Sequence, residues 1–177
     1  MEEKEQQQQQ QQLQQKQQLE KKIGECMGLE RAAQKAIQEL ESRGLLDDPP
    51  SLKKKVDEIR EEAGNHEQKL RQLVEKSGEQ LDSQSIEQSA SEAEKKATEM
   101  MKAYLGENPD TLEALEFLGI AEGGEVVHYE LLSKMAAQVK DKRFATGVRS
   151  ILKEEKMHLQ ESIKLAKKQS AAAMAAA

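Results

Sequence analysis

Apolar residues in this 177-residue chain recur at alternating steps of three and four along four separate stretches. That period keeps them on one face of a helix but would scatter them over both faces of a strand, so it commits the chain to helices that each bury a stripe. The first stripe reads Ile23, Cys26, Glu30, Ala33, Ile37, Leu40. The second reads Leu52, Val56, Ile59, Ala63, His66, Leu70, Leu73. The third reads Leu115, Leu118, Glu122, Glu125, Tyr129, Leu132, with His128 one turn from Glu125. The fourth reads Phe144, Val148, Ile151, Glu155, His158, Ser162, Leu165. Glutamate or histidine interrupts every stripe near its middle. Burying a lone carboxylate costs several kcal/mol even after relaxation. A compensating partner is therefore implied: basic side chains, shared protons or metal.

Composition removes other classes. The aromatics are only Tyr104, Phe117, Tyr129 and Phe144, and there are 3 prolines and 10 glycines. A stranded core leans on β-branched and aromatic residues, so an all-β fold is excluded. The balance of 27 basic against 33 acidic residues, with no basic stripe interleaved with aromatics, argues against a nucleic-acid partner. One cysteine, Cys26, forbids an internal disulfide framework. No signal-peptide pattern or long apolar run is present, so the expectation is a cytoplasmic protein with no membrane partner.

The tails are set apart. Residues 1–18 contain 11 glutamines and read as a disordered tail or a helical extension; residues 169–177 are an alanine-rich C-terminal tail. Residues 19–168 remain for one all-α domain. Its first helix is expected from about Leu19 to Arg43, stopped by Gly44. Asp48 or Ser51 is expected to cap the second, from about Pro50 to Lys76. After a polar segment, a short helix is expected from about Ala90 to Leu105, with Met100 and Met101 as gap-fillers. The long third and fourth helices follow, over about Thr111–Val139 and Lys142–Lys168. The order is two antiparallel helical hairpins joined by a long crossover that carries a short helix, as a four-helix bundle with one crossover requires.

The histidines fix attention on metal. All 3 lie on or beside the stripes. Glu125 and His128 are three apart, as are Glu155 and His158; Glu62 and His66 are four apart. Residues at these spacings face the same side of a helix, so each pair can grip one ion. Gly123 and Gly124 beside Glu125 can relieve crowding or mark a bend. Carboxylates are hard ligands that bridge two metals, and neutral imidazole suits iron, manganese and zinc. Tyr129 reads as a core aromatic or as a hydrogen-bond partner of a ligand. Cys26 reads as a small buried hydrophobe.

The stripes, together with AEGGEVVHYELLSKMA and ILKEEKMHLQ, resemble the ferritin-like, rubrerythrin-like superfamily. The run His128-Tyr129-Glu130 is closest to its bacterial stress-associated YciE/YciF-type branch. The resemblance implies a ferritin-like four-helix bundle with a dinuclear iron centre, manganese being the alternative metal. It also implies oxygen or peroxide chemistry of the oxidase or peroxidase kind, in iron handling or stress defence. The ligand candidates are Glu30, Glu62, His66, Glu125, His128, Glu155 and His158. In one place the chain departs from the pattern: Ala63 stands three before His66, where the superfamily has glutamate. Glu62, by a small helix rotation, or His128 can supply the missing ligand; otherwise the site is mononuclear, asymmetric or empty.

Two other readings stay open. The bundle can be a metal-free scaffold whose buried carboxylates share protons or pair with Arg31, Arg60 or Arg149. Its thin core would favour a homodimer. Alternatively the stripe glutamates can be the flanks of a coiled-coil adaptor, although the hairpin turns argue against a long adaptor. Nucleophilic catalysis has no residue set to support it.

Overall fold

Four short links divide the chain into five helices in its computed structural model, which describes residues 2–78 and 80–176. They are α1 (Glu2–Ser42), α2 (Pro50–Lys76), α3 (Ser83–Leu105), α4 (Thr111–Ala136) and α5 (Lys142–Ala176), with no strand among the described residues. Local chemistry sets the ends. Gly44 takes φ 72°, which glycine adopts without strain, and lets Leu45 N–H turn back to the Leu40 carbonyl at 3.1 Å. Asp110 and Glu113 form a reciprocal capping box at the start of α4. The start of α2 differs from expectation: neither Asp48 nor Ser51 caps it, the N-cap position being Pro49 with Pro50 as the first helical residue. Proline's fixed φ and missing N–H suit a first turn, which needs no side-chain acceptor there.

The crossover differs more. In place of a short helix from Ala90, α3 is 23 residues long and begins at Ser83, where Asp82 accepts from Gln84 N–H. Its backbone N–H at Asp82 also donates to Glu20 Oε1 at 2.7 Å, tying the cap to α1. The glutamine-rich segment continues α1 as helix, with residues 4–15 all exposed, and the alanine-rich tail likewise extends α5.

Ion pairs and contacts give the packing directions. Arg31 meets Glu67 while Arg60 meets Glu41, so α1 and α2 are antiparallel. Lys69 meets Glu154, and Glu62 meets His158, so α2 and α5 are antiparallel; Lys156–Glu130 and His158–Glu122 make α4 and α5 antiparallel. Among the described residues the backbone of α1 lies against α2 and α4, and that of α5 against α2 and α4, while α1 and α5, and α2 and α4, face each other across the interior without close backbone approach. These four helices thus form a ring with two diagonals. Outside the ring α3 lies parallel to α1: Glu20 reaches Asp82, Arg31 reaches Glu87, and Lys35 reaches Glu94.

Small residues make the α1–α3 contact close. A Cβ added at Gly24 would meet the Ile86 carbonyl oxygen at 2.3 Å, and one at Gly28 would meet that of Ala90 at 2.2 Å. Above and below, the interior separates into two apolar clusters. One gathers Ile23, Met27, Tyr129, Leu132, Phe144 and Val148; the other gathers Ile37, Leu40, Val56, Leu115, Phe117 and Leu118. Met101 packs in the second cluster as a gap-filler, but Met100 does not: it is 63% exposed.

The glycines give opposite predictions. Gly28→Ala forces a methyl into an occupied backbone contact and is expected to destabilise by about 1–3 kcal/mol. At Gly119 an added Cβ meets nothing within 4 Å. Gly119→Ala is therefore expected to stabilise by about 0.5–1 kcal/mol through helix propensity. Urea denaturation of both variants beside the wild type reads the two signs.

Candidate metal centre

Between the two apolar clusters the four ring helices each turn an ionisable side chain inward. α1 supplies Glu30, α2 supplies His66, α4 supplies Glu122 and Glu125, and α5 supplies Glu155 and His158; all six are buried. The step of three puts Glu122 with Glu125, and Glu155 with His158, on single faces of their helices. Two overlapping donor sets result. His66, Glu155 and His158 each offer an atom within 4.8 Å of the others, and so do Glu30, Glu125 and Glu155, so Glu155 belongs to both. The two imidazole rings stack with centroids 5.6 Å apart.

The rings are oriented alike. His66 turns Nδ1 inward, 2.5 Å from Glu155 Oε1 and 3.4 Å from Glu30 Oε1, and Nε2 outward to Glu154 Oε2 at 2.7 Å. His158 turns Nδ1 toward Glu122 Oε2 at 3.8 Å and Nε2 outward to Glu62. Glu154 and Glu62 are half-exposed, with side chains 43% and 52% accessible. An outward carboxylate that takes the Nε2 proton fixes the tautomer and leaves the Nδ1 lone pair for a cation, the usual support of a metal-bound histidine. From the other side Tyr129, fully buried, donates its hydroxyl to Glu30 Oε1 at 2.5 Å. Tyr129 is thus a core aromatic whose hydroxyl also holds a carboxylate of the cluster. Cys26 is buried one turn from Glu30, and burial pushes its thiol up, which suits an inert apolar side chain.

Two expected ligands stand apart. His128 lies a third exposed beside Lys22 and Glu25, with its Nδ1 3.3 Å from Lys22 Nζ. His128 directly precedes the inward-facing Tyr129, and the 100° turn between neighbouring residues carries it off the inward face. Burial and the Lys22 charge lower its pKa. Glu62 is next to the buried Ala63 and so is rotated out of the stripe. It contacts the outer nitrogen of His158, behind the ring, and is placed to orient that histidine. Glu122 was on the third stripe yet not among the expected ligands; a glutamate three before Glu125 on the same buried face was the available signal. Neither Gly123 nor Gly124 relieves crowding or marks a break. A Cβ at Gly124 meets nothing within 4 Å, one at Gly123 meets only Leu159 at 3.9 Å, and α4 is continuous through both.

Electrostatically the layer is short of positive charge. Arg31 is engaged by Glu67 and Glu87, Arg60 by Glu41 and Asp57, and Arg149 by the Thr146 hydroxyl, so the three arginines that could have neutralised the buried carboxylates all point elsewhere. Burial and the neighbouring carboxylates raise Glu122 and Glu125 well above the ordinary range. Burial, only partly offset by His66 and Tyr129, raises Glu30 to about 8. Burial alone would depress His66, but Glu155 and Glu30 outweigh it and push it up to about 11. His66 Nδ1 and Glu155 Oε1 approach each other at 2.5 Å, while three carboxylate oxygens of the cluster, Glu30 Oε2, Glu122 Oε2 and Glu155 Oε2, have no hydrogen-bond partner among the described residues. Buried polar atoms left this way cost about 1–3 kcal/mol each. Hard oxygen donors and imidazole nitrogens converging in this way are what a divalent first-row cation would satisfy.

No protein-family model, curated protein or solved structure matches the chain. No helix among the described residues is long and apolar enough to cross a membrane.

The raised pKa values fix a sign for the metal-free protein. Glu30 holds its proton in the fold up to about pH 8 but loses it near 4.5 when unfolded. Its contribution is complete below 4.5 and lost as pH rises through that window. His66 is protonated in the fold up to about 11 and near 6.5 unfolded, so its contribution is lost over the higher window. Both make stability fall with rising pH. Chelator-treated protein is expected to show a urea midpoint that declines from about pH 5 to about pH 9. In Glu30→Gln the lower part of that decline should flatten.

Proposed function

We propose that the chain is a ferritin-like four-helix-bundle protein whose carboxylate–histidine cluster holds a pair of iron or manganese ions, and that it serves iron handling or oxidative-stress defence. The observation that carries this reading is the convergence of buried donors from four helices, three of their carboxylate oxygens without a partner, with Glu155 common to both donor sets. The second support is the resemblance of the stripes and of His128-Tyr129-Glu130 to that superfamily, although His128 itself is not at the cluster.

Glu30, Glu125 and Glu155 would hold one ion; His66, His158, Glu122 and Glu155 would hold the other. The departure at Ala63 then has a compensation. Ala63 is buried and carries no donor, while Glu122 adds one from α4. The donor total stays at four carboxylates and two imidazoles, the number such dinuclear sites use. Bound ions of this kind supply redox chemistry toward dioxygen or peroxide. The protein's own residues do the rest. Tyr129 holds Glu30 in one orientation, and Glu154 and Glu62 hold the two rings. The apolar clusters on either side keep water from the carboxylates. At neutral pH the cluster binds protons that a cation must displace, so loading is expected to release acid.

The test is elemental analysis after anaerobic Fe(II) or Mn(II) loading, with proton release followed in weak buffer. Wild type is expected to take up about two ions per chain. Glu155→Ala is expected to lose both, Glu122→Ala and Glu125→Ala at least one, and Glu62→Gln to weaken binding by about 10–100-fold without abolishing it. One observation favours a second reading: the 2.5 Å approach of His66 Nδ1 to Glu155 suits a metal-free bundle in which protons are shared. No uptake and no acid release in wild type would select that reading and reject the first.

A further inference from the structure

Helix α4 is apolar on two sides. Its inward face carries Leu115, Leu118 and Tyr129, yet its outward face carries Ile120, Val127 and Leu131, which are 49%, 58% and 47% exposed. At 100° per residue these three fall within one narrow stripe. Gly123 and Gly124 lie beside that stripe in mid-helix, where each costs about 1 kcal/mol relative to alanine. The packing within the chain gives no return, because a Cβ at Gly124 meets nothing and one at Gly123 makes only ordinary contact. The stripe ends in opposite charges: Glu116 is exposed on the N-terminal side of Ile120, and Lys134 is exposed on the C-terminal side of Leu131. The patch also continues onto α3, where the exposed Tyr104 donates to Glu116 at 3.5 Å and the exposed Met100 lies one turn further along.

We infer that this face binds a second copy of the chain, α4 packing antiparallel against α4 about a two-fold axis close to Glu125. The argument is self-complementarity. With the axis there, Ile120 of one chain faces Leu131 of the other, Val127 faces the bare backbone at Gly123 and Gly124, and Glu116 faces Lys134. A parallel pairing would set Glu116 against Glu116 and Lys134 against Lys134. A two-fold interface uses the same patch twice, and this one matches itself in shape and in charge. Two adjacent glycines opposite a valine allow the helices to approach at the short end of the usual interaxial range. Exposed apolar patches of this continuity mark interaction sites.

The test uses the full chain in sedimentation equilibrium across micromolar concentrations, with helicity confirming the fold of each variant. Wild type is expected to be dimeric. Glu116→Lys and Lys134→Glu each create two like-charge contacts per dimer and are expected to weaken association on the order of tenfold. Mixed in equal amounts, the two single variants restore both opposite-charge contacts and are expected to pair as a heterodimer near wild-type affinity. Gly124→Leu, which the free helix has room to accept, is expected to give a folded monomer. A monomeric wild type, or a dimer indifferent to Gly124→Leu and to both charge reversals, would overturn the inference. Metal content does not enter this readout, so its outcome is separate from that of the loading experiment.

Discussion

A layer of buried negative charge governs the rest of the molecule. Four glutamates and two histidines from four helices occupy one level of the interior, with an apolar cluster on either side and, among the described residues, no arginine or lysine paired with its buried carboxylates. Such a layer is stable only with protons or cations in it, because desolvated carboxylates repel one another strongly at low dielectric. That requirement explains the surroundings. The hydroxyl of Tyr129, the outward carboxylates of Glu154 and Glu62, and the stacked rings of His66 and His158 each remove a rotational freedom from a donor. The donors are held in place before anything binds, which lowers the cost of binding.

The crossover serves the same end. α2 finishes at the end of the molecule where α1 enters, and α4 must begin at the opposite end to run antiparallel to both α1 and α5. A helix the length of α3 carries the chain back. By lying parallel to α1 it also encloses that helix on a third side. Gly24 and Gly28 bring the two backbones together, and Arg31 clamps the pair by reaching Glu67 of α2 and Glu87 of α3 at once. Arg31 is adjacent to Glu30, so the residue that locks α1 among its neighbours sits next to the carboxylate α1 contributes.

The stripes were legible in the sequence because burial repeats with the helical period. Every stripe position of the first helix is buried, and so is nearly every position of the others. The buried cluster was less so. Pairing each histidine with a glutamate three or four residues away selected Glu155 and His158, which the fold brings into the cluster, but it also admitted Glu62 and His128, which flank the stripes, and passed over Glu122, whose stripe partner is another glutamate. Position on the stripe was the better guide than proximity to histidine. The start of α3 was hidden for a different reason. Its first turns are serine, glutamine and glutamate, and its buried residues are few, Ile86 and Ala90 before Met101. A helix that packs through small residues onto glycines leaves little hydrophobic period to read; Asp82 as N-cap was the one local signal.

Helix α4 joins the two themes. Its inward side is fixed by Glu122 and Glu125, and its outward side by Ile120, Val127 and Leu131, so the same stretch of about three turns carries a buried carboxylate pair and an exposed apolar stripe. Glycine at 123 and 124 leaves two adjacent positions of that segment without a side chain to pack. A helix packed along its outer side would replace the missing support, narrowing the backbone motion available to both glutamates without touching either. Association and the precision of the donor cluster are then coupled through one stretch of a single helix, and the coupling needs no contact between the partner and the cluster.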